Sequence, residues 1–295
     1  MALRIATRGS ALALTQSGMV AEMLGGAELV EVSSDGEPGD KSRFVRAVEQ
    51  AVLDGRAEIG VHSAKDLPGE KVEGLEIAAV PPREDPADAW IGAGTSLEDA
   101  PEGARVGTVS LRRRAQLLAA RPDLRVLDLN GNVDTRLRRL AEGDYDAIIL
   151  AAAGLRRLGR DGEIGFRVPE DRMVPAAGQG ALAIQVRSGD EETAAAVAAI
   201  SDAASFAALL AERVCFTRLE ADCSTPIGVH AKLTGDVLRI GAFVGLPDGG
   251  EWIRDELEAD ANDPQAAGTE LAKRLLGAGA AELLARATKM VDSDD

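Results

Sequence analysis

The chain has 295 residues, 45% hydrophobic and 28% charged, a composition that suits roughly two folded domains and excludes a disulfide miniprotein, a collagen and wholesale disorder. Forty-nine acidic residues against 33 basic ones leave a net charge of −16, which argues against non-specific binding to nucleic acid or an anionic bilayer, because neutralising phosphate needs a basic face. Only six of the basic residues are lysine, so arginine carries the positive charge, and the excess carboxylate suits either an ordinary acidic protein or one kept soluble in concentrated salt.

Strand-like and helical runs alternate from the start: LRIATR, a helix over 10–24, AELVEVS, a helix over 44–53, then AEIGVHS. Such alternation predicts a parallel α/β sheet. After GLEIAAV, the segment PPREDP breaks the pattern and an extended run resumes at Asp88, which marks a crossing between lobes. A second alternating set follows, with ARVGTVS before a helix over 111–120, LRVLDLN before 132–142, and DAIILA before 152–158. RVPEDRMVPAAGQG then interrupts, and ALAIQVR is placed to return to the first sheet, so two crossings enclose a hinged cleft. The Ala-rich stretch over 194–208 reads as good helix, a long helix runs from about 203 to 220, and three extended segments and a helix over 264–276 predict a small α+β domain with a frayed tail.

The start MALRIATRGS has neither a basic n-region nor a long apolar h-region, no apolar run approaches the roughly 18 residues that span a bilayer, and Cys215 and Cys223 make no disulfide framework. The expectation is a reduced, soluble, cytoplasmic protein. His62 and His230 stand at no metal-ligand spacing from the cysteines, so no metal site is expected.

Several strands end in glycine or small polar residues just before a helix: Thr7-Arg8-Gly9-Ser10, His62-Ser63-Ala64-Lys65-Asp66, Gly107-Thr108-Val109-Ser110 and Asn130-Gly131-Asn132. Ligands of open α/β sheets bind beyond such ends, where helix N-termini offer free N–H groups to anions, although the same residues are also ordinary helix caps. Arg8, Arg112, Arg113 and Arg136 lie at or just after these ends, and their forks match carboxylates, whereas Arg114, Arg138 and Arg139 read as solvated helix faces. Lys65-Asp66 reads either as a surface pair or as a cation beside a carboxylate that can stabilise developing positive charge. His62 reads as a core histidine, Cys215 as helical packing, and Cys223, in the loop LEADCSTPIG, as the thiol placed for covalent work.

Together, RIATRGSALAL, VHSAKDLP, REDPADAW, VGTVSLRRRAQL, GNVDTRL, DAIILAAAGLRRLG, VPAAGQGA and LEADCSTPIG resemble, in that order, the blocks of the porphobilinogen deaminase (hydroxymethylbilane synthase) family over nearly the whole chain. The resemblance implies two lobes like those of type II periplasmic binding proteins, spanning 1–82 with 179–200 and 83–178, and a small α+β domain over 201–295. It implies a dipyrromethane cofactor joined by a thioether to Cys223, and a monomeric cytoplasmic transferase that links four porphobilinogen molecules with loss of ammonia. Asp66 matches the catalytic aspartate. Arg8, Ser10, Lys41, Ser63, Lys65, Thr108, Ser110, Arg112, Arg113, Arg136, Arg157 and Gln179 match positions that hold cofactor and growing oligopyrrole or lie beside them. The chain departs from the family pattern at Ala221-Asp222, where Gly-Gly is usual, at Val109, Asn130 and Asp134, and in a short loop SSDGEPGDKSR around Lys41. From the residues alone, a non-catalytic two-lobed binder of small anions is the alternative.

Overall fold

The structure is a computed structural model that describes residues 3–33, 42–222 and 225–294. Strand β1 (Arg4–Arg8) leads through helix α1 (Ala11–Met23) to β2 (Glu28–Val32), α2 (Ser42–Leu53) leads to β3 (Ile59–Ser63), and β4 (Leu75–Ala79) follows. A second lobe holds β5 (Asp88–Gly92), β6 (Arg105–Gly107), α3 (Leu111–Ala120), β7 (Arg125–Leu127) and α4 (Val133–Ala141). It continues through β8 (Ala147–Ala151), α5 (Ala152–Arg157) and β9 (Phe166–Val168), a short strand inside the stretch expected to be an interruption. The chain then returns as β10 (Leu182–Arg187).

The two sheets have the orders β2-β1-β3-β10-β4 and β7-β6-β8-β5-β9. Each is three parallel strands, then one strand that has just crossed from the other lobe, then an edge strand. The layout is therefore used twice, as two related lobes require. The sheets are mixed, not parallel as the alternation predicted, because β10 and β5 arrive from the opposite lobe and run against both neighbours. β8 is the apolar run AIILA with Ile148 and Ile149 fully buried, the pattern of a strand covered on both faces. Where the crossings pass each other, Gly180 has φ +88 and a Cβ there would stand 2.2 Å from Glu84 O, so only glycine lets the two backbones approach.

The Ala-rich stretch is two helices, α6 (Glu191–Ala198) and α7 (Ala203–Arg218). Helix propensity loses at the break because Asp202 caps Ser205 N at 2.7 Å and gives its own N–H to Val80 O at 2.8 Å. β11 (Ile227–Thr234), β12 (Val237–Gly245) and β13 (Trp252–Asp260) form an antiparallel sheet beside α7, α8 (Pro264–Gly277) and α9 (Ala280–Asp294). The tail expected to fray is thus helical through Asp294, since Leu283 and Ala287 pack into the core made by Val229, Leu238, Ile240 and Leu271. No single helix among the described residues is long and apolar enough to cross a membrane.

Candidate active-site cleft

Charges at the strand ends singled out in the sequence act on one another across the two lobes, Lys65 on Arg112 and Arg113, Arg113 on Arg136, and Asp66 on Arg8. Ser10 caps α1, its Oγ accepting from Ala13 N at 3.4 Å, and Asn132 caps α4 by accepting from Thr135 N at 2.9 Å. Those two serve as caps. Ser63, at the end of β3, has its Oγ 2.9 Å from Gln16 Nε2, so a buried glutamine on α1 holds the hydroxyl in place. Ser110 stands at the N-cap of α3 without a side-chain capping bond, and its N–H is taken by buried Thr108 Oγ1 at 3.2 Å. The α3 N-terminus is left able to receive an anion.

At the centre lies Asp88, fully buried at the start of β5. Arg112 Nη1 is 2.7 Å from its Oδ2 and also donates to Val174 O at 2.8 Å; Arg113 Nε is 2.8 Å from Oδ1 while its Nη1 donates to Ile149 O at 2.9 Å. Gln179 Nε2 adds a bond to Asp88 Oδ1 at 3.1 Å and one to Pro86 O at 2.7 Å. Lys65 Nζ, from the first lobe, donates to Gln179 Oε1 at 3.3 Å. Burial alone would raise the Asp88 pKa; the two guanidinium groups and the Gln179 amide outweigh it and hold the carboxyl well below the usual range. The sequence reading missed Asp88, although an aspartate opening an otherwise apolar strand was a visible anomaly.

One carboxylate between two guanidinium groups leaves positive charge uncancelled. Half-buried Lys65 is lowered to about 8, first by burial and then by Arg113, with Asp66 and Asp88 opposing. Arg136, whose Nε donates to Gly131 O at 2.8 Å, is lowered to about 10 by burial and by Arg113. Burial also lowers Arg8, with Asp66 opposing, and Arg157, with Glu84 opposing. Arg157 Nη2 donates to Gly180 O at 2.8 Å, and its Nε is buried with no partner. Asp66 itself is exposed, at the end of the single 3-10 turn Ala64–Asp66 that follows β3. The orphaned Arg157 Nε and the depressed cations describe a donor set short of anions, which fits a group bearing several carboxylates.

Arg138 is two-thirds exposed in an i,i+4 pair with Glu142, and Arg139 pairs with Asp144 at 2.9 Å, so both lie on the outer face. Arg114 donates to Val126 O at 3.2 Å. Asp134, one of the departures, pairs with Arg160. His62 is buried and lowered to about 4 by that burial, hence neutral, as a core histidine would be. Cys215 is fully buried in α7, and burial pushes its thiol up to about 12, which leaves it inert.

Cys223 and Lys41 lie outside the described residues. The chain reaches Cys223 through Glu220 at φ +52 and Ala221, which packs into the core of the third domain. Asp222 N then donates to Thr225 Oγ1 at 2.9 Å, and that hydroxyl donates to Asp222 Oδ1 at 2.7 Å. Both residues that replace the usual Gly-Gly therefore have structural partners.

The third domain is fastened to both crossings by another residue that the sequence reading missed. Glu212 of α7 is fully buried and binds Arg83, Gly178 N at 2.6 Å and Ala231 N at 2.7 Å, with His230 Nδ1 3.2 Å away.

A family model described as the dipyrromethane cofactor binding domain of porphobilinogen deaminase matches residues 3–195, and one described as the C-terminal domain of porphobilinogen deaminase matches 206–277. Porphobilinogen deaminases from Roseiflexus castenholzii and Brevibacillus brevis are 43% and 42% identical, each across 96% of this chain and 98% and 96% of their own lengths. Another from a Roseiflexus strain is 44% identical across 96% of this chain and 98% of its own. Two lobes joined by two crossings, a third domain docked on both, and matches of this length in both segments place the chain in the porphobilinogen deaminase family.

Proposed function

We propose that the chain joins four porphobilinogen molecules head to tail into hydroxymethylbilane on a dipyrromethane primer held by a thioether to Cys223. The observation that carries this reading is the surplus of cations around Asp88: Lys65, Arg112 and Arg113 from two lobes gather near one buried carboxylate, with Arg136 beside Arg113. A pyrrole chain with an acetate and a propionate on each ring supplies the missing anions. The bound dipyrromethane supplies the free pyrrole α-carbon from which the chain grows.

Arg8, Lys65, Arg136 and Arg157 hold carboxylates in this reading, Arg113 adds its charge from beside Asp88, and the first turn of α3 after Ser110 adds N–H donors. Arg112 and Gln179 keep Asp88 and Lys65 in place, as Gln16 keeps Ser63. Each addition would break the aminomethyl C–N bond of porphobilinogen, release ammonia and a pyrrole α-proton and form one C–C bond, and after the fourth addition one water would cleave the product from the primer and supply its hydroxyl. Positive charge develops on the substrate at both stages. Asp66, exposed at the cleft rim near Arg8 and Lys65, stabilises that charge and accepts hydrogen bonds from pyrrole N–H groups. His62, buried and neutral, takes no part.

The proposed units are 1–82 with 179–200, 83–178 and 201–295, and a cytoplasmic, monomeric, salt-tolerant enzyme belongs to the same reading. A binder without catalysis is not favoured, because the matches extend through the third domain. Intact mass of the native protein, Cys223→Ser and Cys215→Ser, with porphobilinogen consumption measured on each, tests the proposal. The expected result is an adduct lost only in Cys223→Ser together with activity. A native protein of bare polypeptide mass, or an adduct that follows Cys215, overturns it.

A further inference from the structure

The loop that leaves Asp66 is fastened to a helix of another domain. Leu67 is buried against Leu209 of α7. Arg213 Nη2 donates to Pro68 O at 2.8 Å and to Gly69 O at 3.4 Å, and Thr217 Oγ1 donates to Gly69 O at 3.1 Å. Leu209, Arg213 and Thr217 are four residues apart in turn, so they form one stripe along α7. The approach is close: a Cβ on Gly69 would meet Thr217 Oγ1 at 3.1 Å. Arg213 is in turn within electrostatic reach of Glu49 on α2, which is buried. Beyond Thr217 the helix ends at Arg218, and the chain turns at Glu220 into the loop that contains Cys223.

We infer that Arg213 and Thr217 are positioning residues: the last two turns of α7 set where Asp66 stands relative to the root of the Cys223 loop. One helix end thereby carries both the loop of the carboxylate and the loop of the attachment cysteine. Displacing the Gly69 anchor moves Asp66 against the reacting pyrroles, and misplacement on the scale of an ångström is costly to a reaction that depends on a fixed charge. Gly69 O lies near the surface, where water can replace the lost hydroxyl, so the fold tolerates the change.

This inference rests on the reading of Asp66 as the catalytic carboxylate, and the test separates the two. Steady-state and single-turnover elongation are measured on Thr217→Val, Thr217→Ser, Arg213→Lys, Asp66→Asn and the double variant Thr217→Val/Asp66→Asn, with cofactor loading checked by intact mass. Thr217→Val is expected to load normally and lower kcat on the order of tenfold with KM unchanged, the scale of one lost hydrogen bond, while Thr217→Ser restores it. In the Asp66→Asn background, Thr217→Val is expected to add no further loss. Wild-type kcat in Thr217→Val, or a loss of equal size in both backgrounds, overturns the inference and leaves Asp66 in its role. Full turnover by Asp66→Asn overturns the reading beneath it. The Thr217 pair decides the matter even where Arg213→Lys does not fold.

Discussion

Arg83 Nη1 stands 2.6 Å from Glu212 Oε1, with the glutamate fully buried and the arginine side chain about one-tenth exposed. Arg83 belongs to the first crossing between the lobes, and its Nε also donates to Gln179 O of the second at 2.9 Å. The pair therefore ties both crossing segments to α7. Burial works against ionised Glu212, but Arg83 and His230 outweigh it and hold its pKa at about 2.

Replacing Glu212 by Gln removes a charge from four donors and leaves Arg83 without its buried partner. A loss of about 3–5 kcal/mol is expected, the range for breaking a buried pair from one side. Urea denaturation at pH 7 checks it, with the midpoint falling and the slope unchanged.

His230 lies between two carboxylates, with Nε2 3.2 Å from Glu170 Oε2 and Nδ1 3.2 Å from Glu212 Oε1. Both ring nitrogens must donate, which requires the imidazolium. Burial and Arg83 lower its pKa, the two glutamates raise it, and the net shift is upward. Lys232 acts on the same group through Glu170. A raised folded pKa means that stability from this contact is complete below about 6.5, the unfolded value, and is lost as pH rises through the folded one. Melting temperature measured from pH 6 to 9 should therefore fall more in the native protein than in His230→Gln.

Lys65, lowered to about 8, is cationic below that pH and neutral above it. Its hold on a substrate carboxylate should weaken on the alkaline side, so KM for porphobilinogen should rise through about pH 8. Lys65→Arg stays charged and should lack that limb while keeping the rest of the profile. Identical alkaline limbs in the two proteins would sink the assignment.

Arg113 spends three nitrogens on Asp88 and Ile149 O, and Arg138 spends one on Glu142 at the surface. A lysine has no fork with which to span the first set. Arg113→Lys is expected to lower the cofactor-loaded fraction seen by intact mass, whereas Arg138→Lys should load fully and change stability by no more than about 0.5 kcal/mol.

Much of the molecule is written locally in the chain. The apolar run of β8, the caps Ser10 and Asn132, and the strand ends at Ser63 and Thr108 are patterns a few residues long, and each has its expected place in the structure. The helix break at Asp202 was hidden by alanine, whose propensity says nothing about a tie to Val80, and α9 was hidden because its short apolar stripe matters only against the third-domain core. Cations near the cleft were legible from their spacing.

The sequence by itself therefore determined the order of the elements other than β9 and α9, the two crossings and the residue types at the strand ends. Only the tertiary structure decided that β10 runs antiparallel between β3 and β4, that Arg112 and Arg113 share Asp88, that Glu212 joins two crossings to a third domain, and that α7 grips the loop after Asp66. These contacts join residues 24 to 148 positions apart, and no periodicity runs that far. What selects them is the cost of an unpaired charge or donor in a dry interior, a quantity that exists only once the chain has folded around it.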